Sequence, residues 1–92
     1  MANNSIVDDD LEDRCYLCGA VGKMDVHHIF GGPVRPISDR YGLVVHLCRE
    51  CHTKLHDKGE GMQYLHEIGQ QAYEQKIGNR TAFIREFIRS YL

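Results

Sequence analysis

Apolar positions change their spacing along the chain, and the changes mark out its elements. "KMDVHHIF" at 23–30 alternates well enough for a short strand, and "YGLVVHL" at 41–47 puts Leu43, Val45 and Leu47 on one face of a second. The two predict a hairpin. Between them "GGPVRPISDR" holds both prolines of the chain and two adjacent glycines, which predicts an irregular loop carrying Arg35 and Arg40. A short helix over "RECHTKLHDK" follows, with Lys58 in its last turn and Gly59 as its stop. The spacing of Met62, Leu65, Ile68, Ala72 and Ile77 then predicts a helix over about 61–77, despite Gly69. Phe83, Ile84, Phe87, Ile88, Tyr91 and Leu92 predict another over about 81–91, with Gly78-Asn79 between the two. The sum is a small α+β domain of two strands and a helix followed by two C-terminal helices.

Length makes this core marginal. A chain of 92 residues is one domain, and one this short buries only about 60–65% of its unfolded surface. A covalent or metal staple is expected. The four cysteines stand as two Cys-x-x-Cys pairs, Cys15/Cys18 and Cys48/Cys51. In the first, "CYLCGAVGK" reads as a tight knuckle whose turn uses the backbone freedom of Gly19 and Gly22. The first residues contain no apolar run of the signal-peptide kind, and nowhere do about 18 apolar residues run together, so a cytoplasmic chain with no membrane span is expected. In a reducing compartment such pairs read as ligands of one structural zinc. Disulfides and unpaired buried thiols are the lesser readings.

Charge adds one feature. The net charge is −2, but Asp8, Asp9, Asp10, Glu12 and Asp13 cluster ahead of Cys15. Setting those five of thirteen acids aside leaves eight against eleven Lys and Arg, so residues 14–92 carry +3. Residues 1–13 read as a flexible acidic leader and 14–92 as the folded domain, with a core at 15–58.

Histidines supply the candidate chemistry. His52 and His56 lie one helical turn apart and about 40° around the helix, so both can approach one ion, whereas Cys51 is about 100° from His52. One helix can thus show its cysteine to one metal and its histidines to another. Two surface histidines, or one standing in for a cysteine at the zinc, are the plainer reading. His27 and His28 end the first strand and, as strand neighbours, point to opposite faces. They need different roles: one can ligate a metal while the other stands across a gap that admits a water and a phosphate. A neutral imidazole can take a proton from that water at physiological pH. His46 lies on the face of the second strand opposite Leu43, Val45 and Leu47, where it can face DNA or simply solvent; His66 reads as structural. Arg35 and Arg40 read as phosphate clamps or as solvated loop arginines.

Residues 15–56, from "CYLCGAVGKMDVHHIFGG" through "LCRECHTKLH", resemble the HNH endonuclease family, the zinc-stapled, treble-clef-like branch of the ββα-metal nucleases, including small phage and prophage members. The resemblance implies that His27, His52 and His56 are ligands of a catalytic divalent ion, Mg²⁺ or Mn²⁺ with Zn²⁺ or Ni²⁺ as alternatives. It implies that His28 is the general base and that Cys15, Cys18, Cys48 and Cys51 hold structural zinc. The implied reaction is cleavage of DNA, double-stranded by expectation, to 5′-phosphate and 3′-hydroxyl ends in a bacterial or phage-infected cell. The family's middle asparagine, which ties down the loop before the second strand, has no counterpart, since Gly42 and Leu43 stand near that position. The alternative function is a noncatalytic treble-clef module that binds nucleic acid or protein, and a third reading is an interaction protein acting through its C-terminal helices. A monomer is expected, with a homodimer through the last helix as the alternative.

Overall fold

A computed structural model describes residues 5–92. Strand β1 (Asp25–His28) pairs antiparallel with β2 (Val44–Leu47), His27 opposite Val45 and His28 opposite Val44. Helix α1 (Arg35–Arg40) lies between them, and α2 (Arg49–Lys58), α3 (Met62–Lys76) and α4 (Arg80–Phe87) follow. The fold is α+β. Among the described residues no helix is long and apolar enough to cross a membrane.

The stretch expected to be an irregular loop is mostly helical. Gly32–Val34 forms a single 3₁₀ turn that runs into α1. Its two prolines are compatible with this because each sits in the first positions of its helix, where a backbone N–H has no helical partner to lose and φ near −65° is already helical. Ser38 is fully buried and fastens the segment: its hydroxyl donates to the Leu43 carbonyl at 2.6 Å, and the Phe30 N–H donates to the same oxygen at 3.4 Å. Leu43 N–H returns a bond to the Ser38 carbonyl at 2.9 Å. A buried serine thus ties down the segment for which the sequence offered no asparagine.

The acidic leader needs correction. Residues 1–4 lie outside the described part, but residues 5–13 pack on the domain. Ile6 N–H donates to Gly42 O at 2.9 Å and Ser5 Oγ to Val44 O at 2.6 Å, which covers the open edge of β2. Val7 is buried. Asp8 pairs with Lys76 at 2.7 Å, and the Asp10 carboxylate accepts both the backbone N–H of His46 at 2.8 Å and its ring Nδ1 at 2.7 Å. The acidic run therefore holds part of its charge in specific pairs. With this strap over β2, all four β2 residues are buried, His46 among them.

Local signals account for the later helices. Gly59 adopts φ +73° as the left-handed cap of α2, the conformation the sequence reserved for it. Leu55, Leu65, Tyr73, Phe83 and Phe87 pack with Ile29, Phe30, Leu43, Val45 and Leu47 into one core. Gly69 lies where α3 crosses the end of β1: a Cβ there would sit 2.8 Å from Ile29 Cγ2 and 3.0 Å from Phe30 Cε2. Asn79 caps α4 by accepting the Ala82 N–H at 2.9 Å. That helix ends at Phe87, earlier than its apolar spacing suggests, because Ile88 turns the chain back with φ +80°. Phe83 and Phe87 fill the core of their own chain, leaving Ile84 and Ile88 exposed.

Candidate metal centres

The first cluster is the thiols. The knuckle closes through Cys15 N–H to Ala20 O at 2.8 Å and Gly19 N–H to Cys15 O at 2.9 Å, which turns Cys15 and Cys18 to the same side. Cys48 is the N-cap of α2, its sulfur accepting the Cys51 N–H at 3.5 Å. All four thiols are free, and their sulfurs lie within 4.8 Å of one another. A cluster of this composition can bind a metal such as zinc. Its charge is unevenly shared: burial pushes the Cys15 thiol up, but backbone hydrogen bonds at Cys48, Cys18 and Leu17 outweigh burial and bring it down to about 6. Burial and the neighbouring thiols push Cys51 up. Four sulfurs this close cannot all be anionic beside one another without a cation to offset them.

The second cluster joins β1 to α2. His27, His52 and His56 offer ring nitrogens within 4.8 Å of one another. The His27 ring centroid lies 5.3 Å from that of His52 and 5.6 Å from that of His56. His27 is 5% exposed, and its Nε2 is buried without a hydrogen-bond partner among the described residues. A buried polar atom left unpaired costs about 1–3 kcal/mol. Burial first, and then the charges of His52 and His56, bring its pKa down to about 4, so at neutral pH the ring is uncharged with a lone pair to give. The orphan nitrogen of His27, with the ring nitrogens of His52 and His56 converging on it, fits a bound cation.

Asp25 completes this cluster from behind. Its Oδ2 accepts from His52 Nδ1 at 3.1 Å and from Arg49 Nε at 2.8 Å, and Arg49 Nη2 donates to Oδ1 at 3.2 Å. The Arg49 hydrogen bonds, then that of His52, hold the Asp25 carboxyl down at about 2. With its Nδ1 proton taken by a carboxylate, His52 keeps an Nε2 lone pair, which lies 3.1 Å from His56 Nε2. Carboxylate–histidine pairs of this kind fix the tautomer and aim of metal ligands.

His28 shares with the imidazole cluster a cleft of about 360 Å³, which Arg35 also lines. Its Nε2 meets Asp39 Oδ1 of α1 at 3.0 Å, which places a proton on Nε2 and leaves Nδ1 as the acceptor. Arg40 lies on α1 but does not line the cleft. His46, expected as a DNA-facing or exposed residue, reaches neither solvent nor the cleft, because Asp10 holds both its backbone and its ring. Asp25, Ser38, Asp39 and Asp10 were not foreseen. Of these only Asp25 carried a readable signal, as a carboxylate two residues before His27 and so on the same strand face.

No family model, curated protein or solved structure matches this chain. The residues themselves therefore carry the functional argument.

Proposed function

We propose that the chain is a metal-dependent DNA endonuclease of ββα-metal type, with a structural zinc at Cys15, Cys18, Cys48 and Cys51. The observation that carries this reading is the convergence of three imidazoles, one with an orphaned buried nitrogen, beside a fourth imidazole already oriented by a carboxylate. His27, His52 and His56 would hold the catalytic ion. Three imidazole ligands suit Mn²⁺, Zn²⁺ or Ni²⁺ better than Mg²⁺, which prefers oxygen ligands and keeps its waters. Once bound, such an ion supplies Lewis-acid polarisation of the phosphate and offsets charge on the leaving oxygen.

The remaining work falls to side chains. Asp39 accepts a hydrogen bond from His28 Nε2–H and stabilises positive charge on that ring as it forms. His28 Nδ1 takes a proton from the attacking water; the water oxygen bonds to phosphorus as the P–O3′ bond breaks, and the departing O3′ takes a proton from solvent, giving 5′-phosphate and 3′-hydroxyl ends. Arg35, exposed at the cleft, can pair with a non-bridging phosphate oxygen.

The test incubates supercoiled plasmid with wild-type and His28→Ala protein in Mg²⁺, Mn²⁺, Ni²⁺ and Zn²⁺. Relaxation or linearisation by wild type, slowed about 100-fold or more in the variant, is expected. Equal inertness of the two across all four metals refutes the enzyme and leaves a noncatalytic module.

A further inference from the structure

We propose that the nucleic-acid surface extends beyond the cleft into a groove whose far wall is the segment after α4, where Arg89 holds a backbone phosphate of the bound DNA duplex. This rests on the DNA-binding part of the preceding reading. A second cavity, of about 640 Å³, adjoins the cleft and shares Met62 and His66 with it; Arg89 and Tyr91 form its other side. Although the chain holds thirteen acids, no carboxylate lines either cavity. On the other side of the imidazoles a cavity that shares Val26, His52 and His56 with the cleft does carry carboxylates, Asp25 and Asp57, and a pocket farther off carries Asp8 and Asp9. The acid-free surface therefore runs from the cleft toward Arg89 and not the opposite way. Arg35 stands on the cleft and Arg89 on the adjoining cavity, and among the described residues neither has a carboxylate at ion-pair distance. The groove thus offers two unneutralised guanidiniums with His66 between them, a charge pattern complementary to a polyanionic backbone.

Arg89 is exposed but not left loose. The turn at Ile88, φ +80°, sends the chain back across α3. There Gln70, fully buried, accepts the Tyr91 N–H at 2.7 Å through Oε1 and donates to Ser90 Oγ at 3.0 Å through Nε2. The Tyr91 ring is fixed against His66, with centroids 4.5 Å apart, and the Arg89 guanidinium lies over that ring at 4.8 Å. A cation resting on an aromatic face keeps its N–H edges free for phosphate and loses little freedom on binding.

Binding of a short fluorescein-labelled DNA duplex to metal-loaded His28→Ala protein, followed by anisotropy over a range of salt, tests the groove without cleavage. Arg89→Glu in that background is expected to weaken binding about five- to tenfold and to lower the slope of log Kd against log salt by about one. Arg89→Lys should keep most of the affinity. Lys23→Glu, an equal change of charge at an exposed residue lining neither cavity, should cost less than about twofold. An Arg89→Glu protein that binds like its parent, or a Lys23→Glu protein that loses as much, overturns the proposal. If the His28→Ala parent binds no duplex, DNA recognition and the groove fall together; if it binds but wild type cuts nothing, the groove stands and only the catalytic reading falls.

Discussion

Replacing Ser38 with alanine removes one hydroxyl, and the structure says what that leaves behind. The Leu43 carbonyl loses a 2.6 Å bond but keeps the one it receives from Ile29 N–H at 3.0 Å. Phe30 N–H loses its 3.4 Å partner. The stronger bond is worth about 1 kcal/mol net, and the stranded N–H adds about 1 kcal/mol, for a total near 2 kcal/mol. In a domain of 92 residues each kcal/mol moves Tm by about 4–8 °C, so Ser38→Ala should melt about 8–16 °C below wild type in zinc-replete buffer. Far-UV circular dichroism reads the transition, with Arg40→Ala, an exposed change on the same helix, as the reference. Because Asp39 adjoins Ser38 and bonds His28, the ring resonances of His28 should shift as well. A Ser38→Ala protein melting within about 2 °C of wild type would show that this hydroxyl does not fasten the loop, and the account of how the missing asparagine is replaced would have to be abandoned.

Gly69→Ala sets a helix-propensity gain of about 1 kcal/mol against overpacking of about 1–3 kcal/mol, since the new Cβ meets Ile29 Cγ2 at 2.8 Å; urea denaturation should show a net loss of about 1 kcal/mol, and a gain would refute the close approach. Metal analysis of purified variants should find that Cys48→Ser loses its zinc and its cooperative melting, whereas His52→Ala keeps the zinc, and loss from both alike would contradict two separate clusters. His27 has a folded pKa of about 4 against a usual 6.5, so the unfolded chain takes up a proton in that interval that the folded chain refuses. The stability from this residue is complete above about 6.5 and is lost as pH falls toward 4; His27→Asn should melt with a flatter pH dependence than wild type there, and parallel curves would count against the buried, neutral ring.

The cysteine pairs, the helical histidines and the α3 periodicity were readable because each is set by neighbours a few residues apart. Gly59 likewise announced the end of α2. The segment at 31–40 was misread because its prolines look like breakers until their positions within the turns are known; at a helix start they are compatible with helix, and in a bare sequence the start is what must be found. His46 was misplaced for a different reason. Strand alternation correctly put it opposite the core residues, but that face is covered by residues more than thirty positions earlier, whose acidity resembled a solvated tail. Asp39 and His28 are eleven residues apart and meet only because α1 folds back over β1. Gln70, buried with its amide oxygen and nitrogen both bonded, looked from its spacing like an ordinary polar position on α3.

Helix α2 opens at a cysteine cap and carries Cys51, His52 and His56 along one short length. The same opening turn thus contributes side chains to both candidate clusters, and whatever rigidifies it for one lowers the ordering cost for the other. By thermodynamic reciprocity an ion among the sulfurs should tighten one among the imidazoles by the same factor that the second tightens the first. On the proposed function, filling of the two clusters would then be a cooperative equilibrium, and withholding zinc from the sulfurs would also weaken the hold of the imidazoles on their ion.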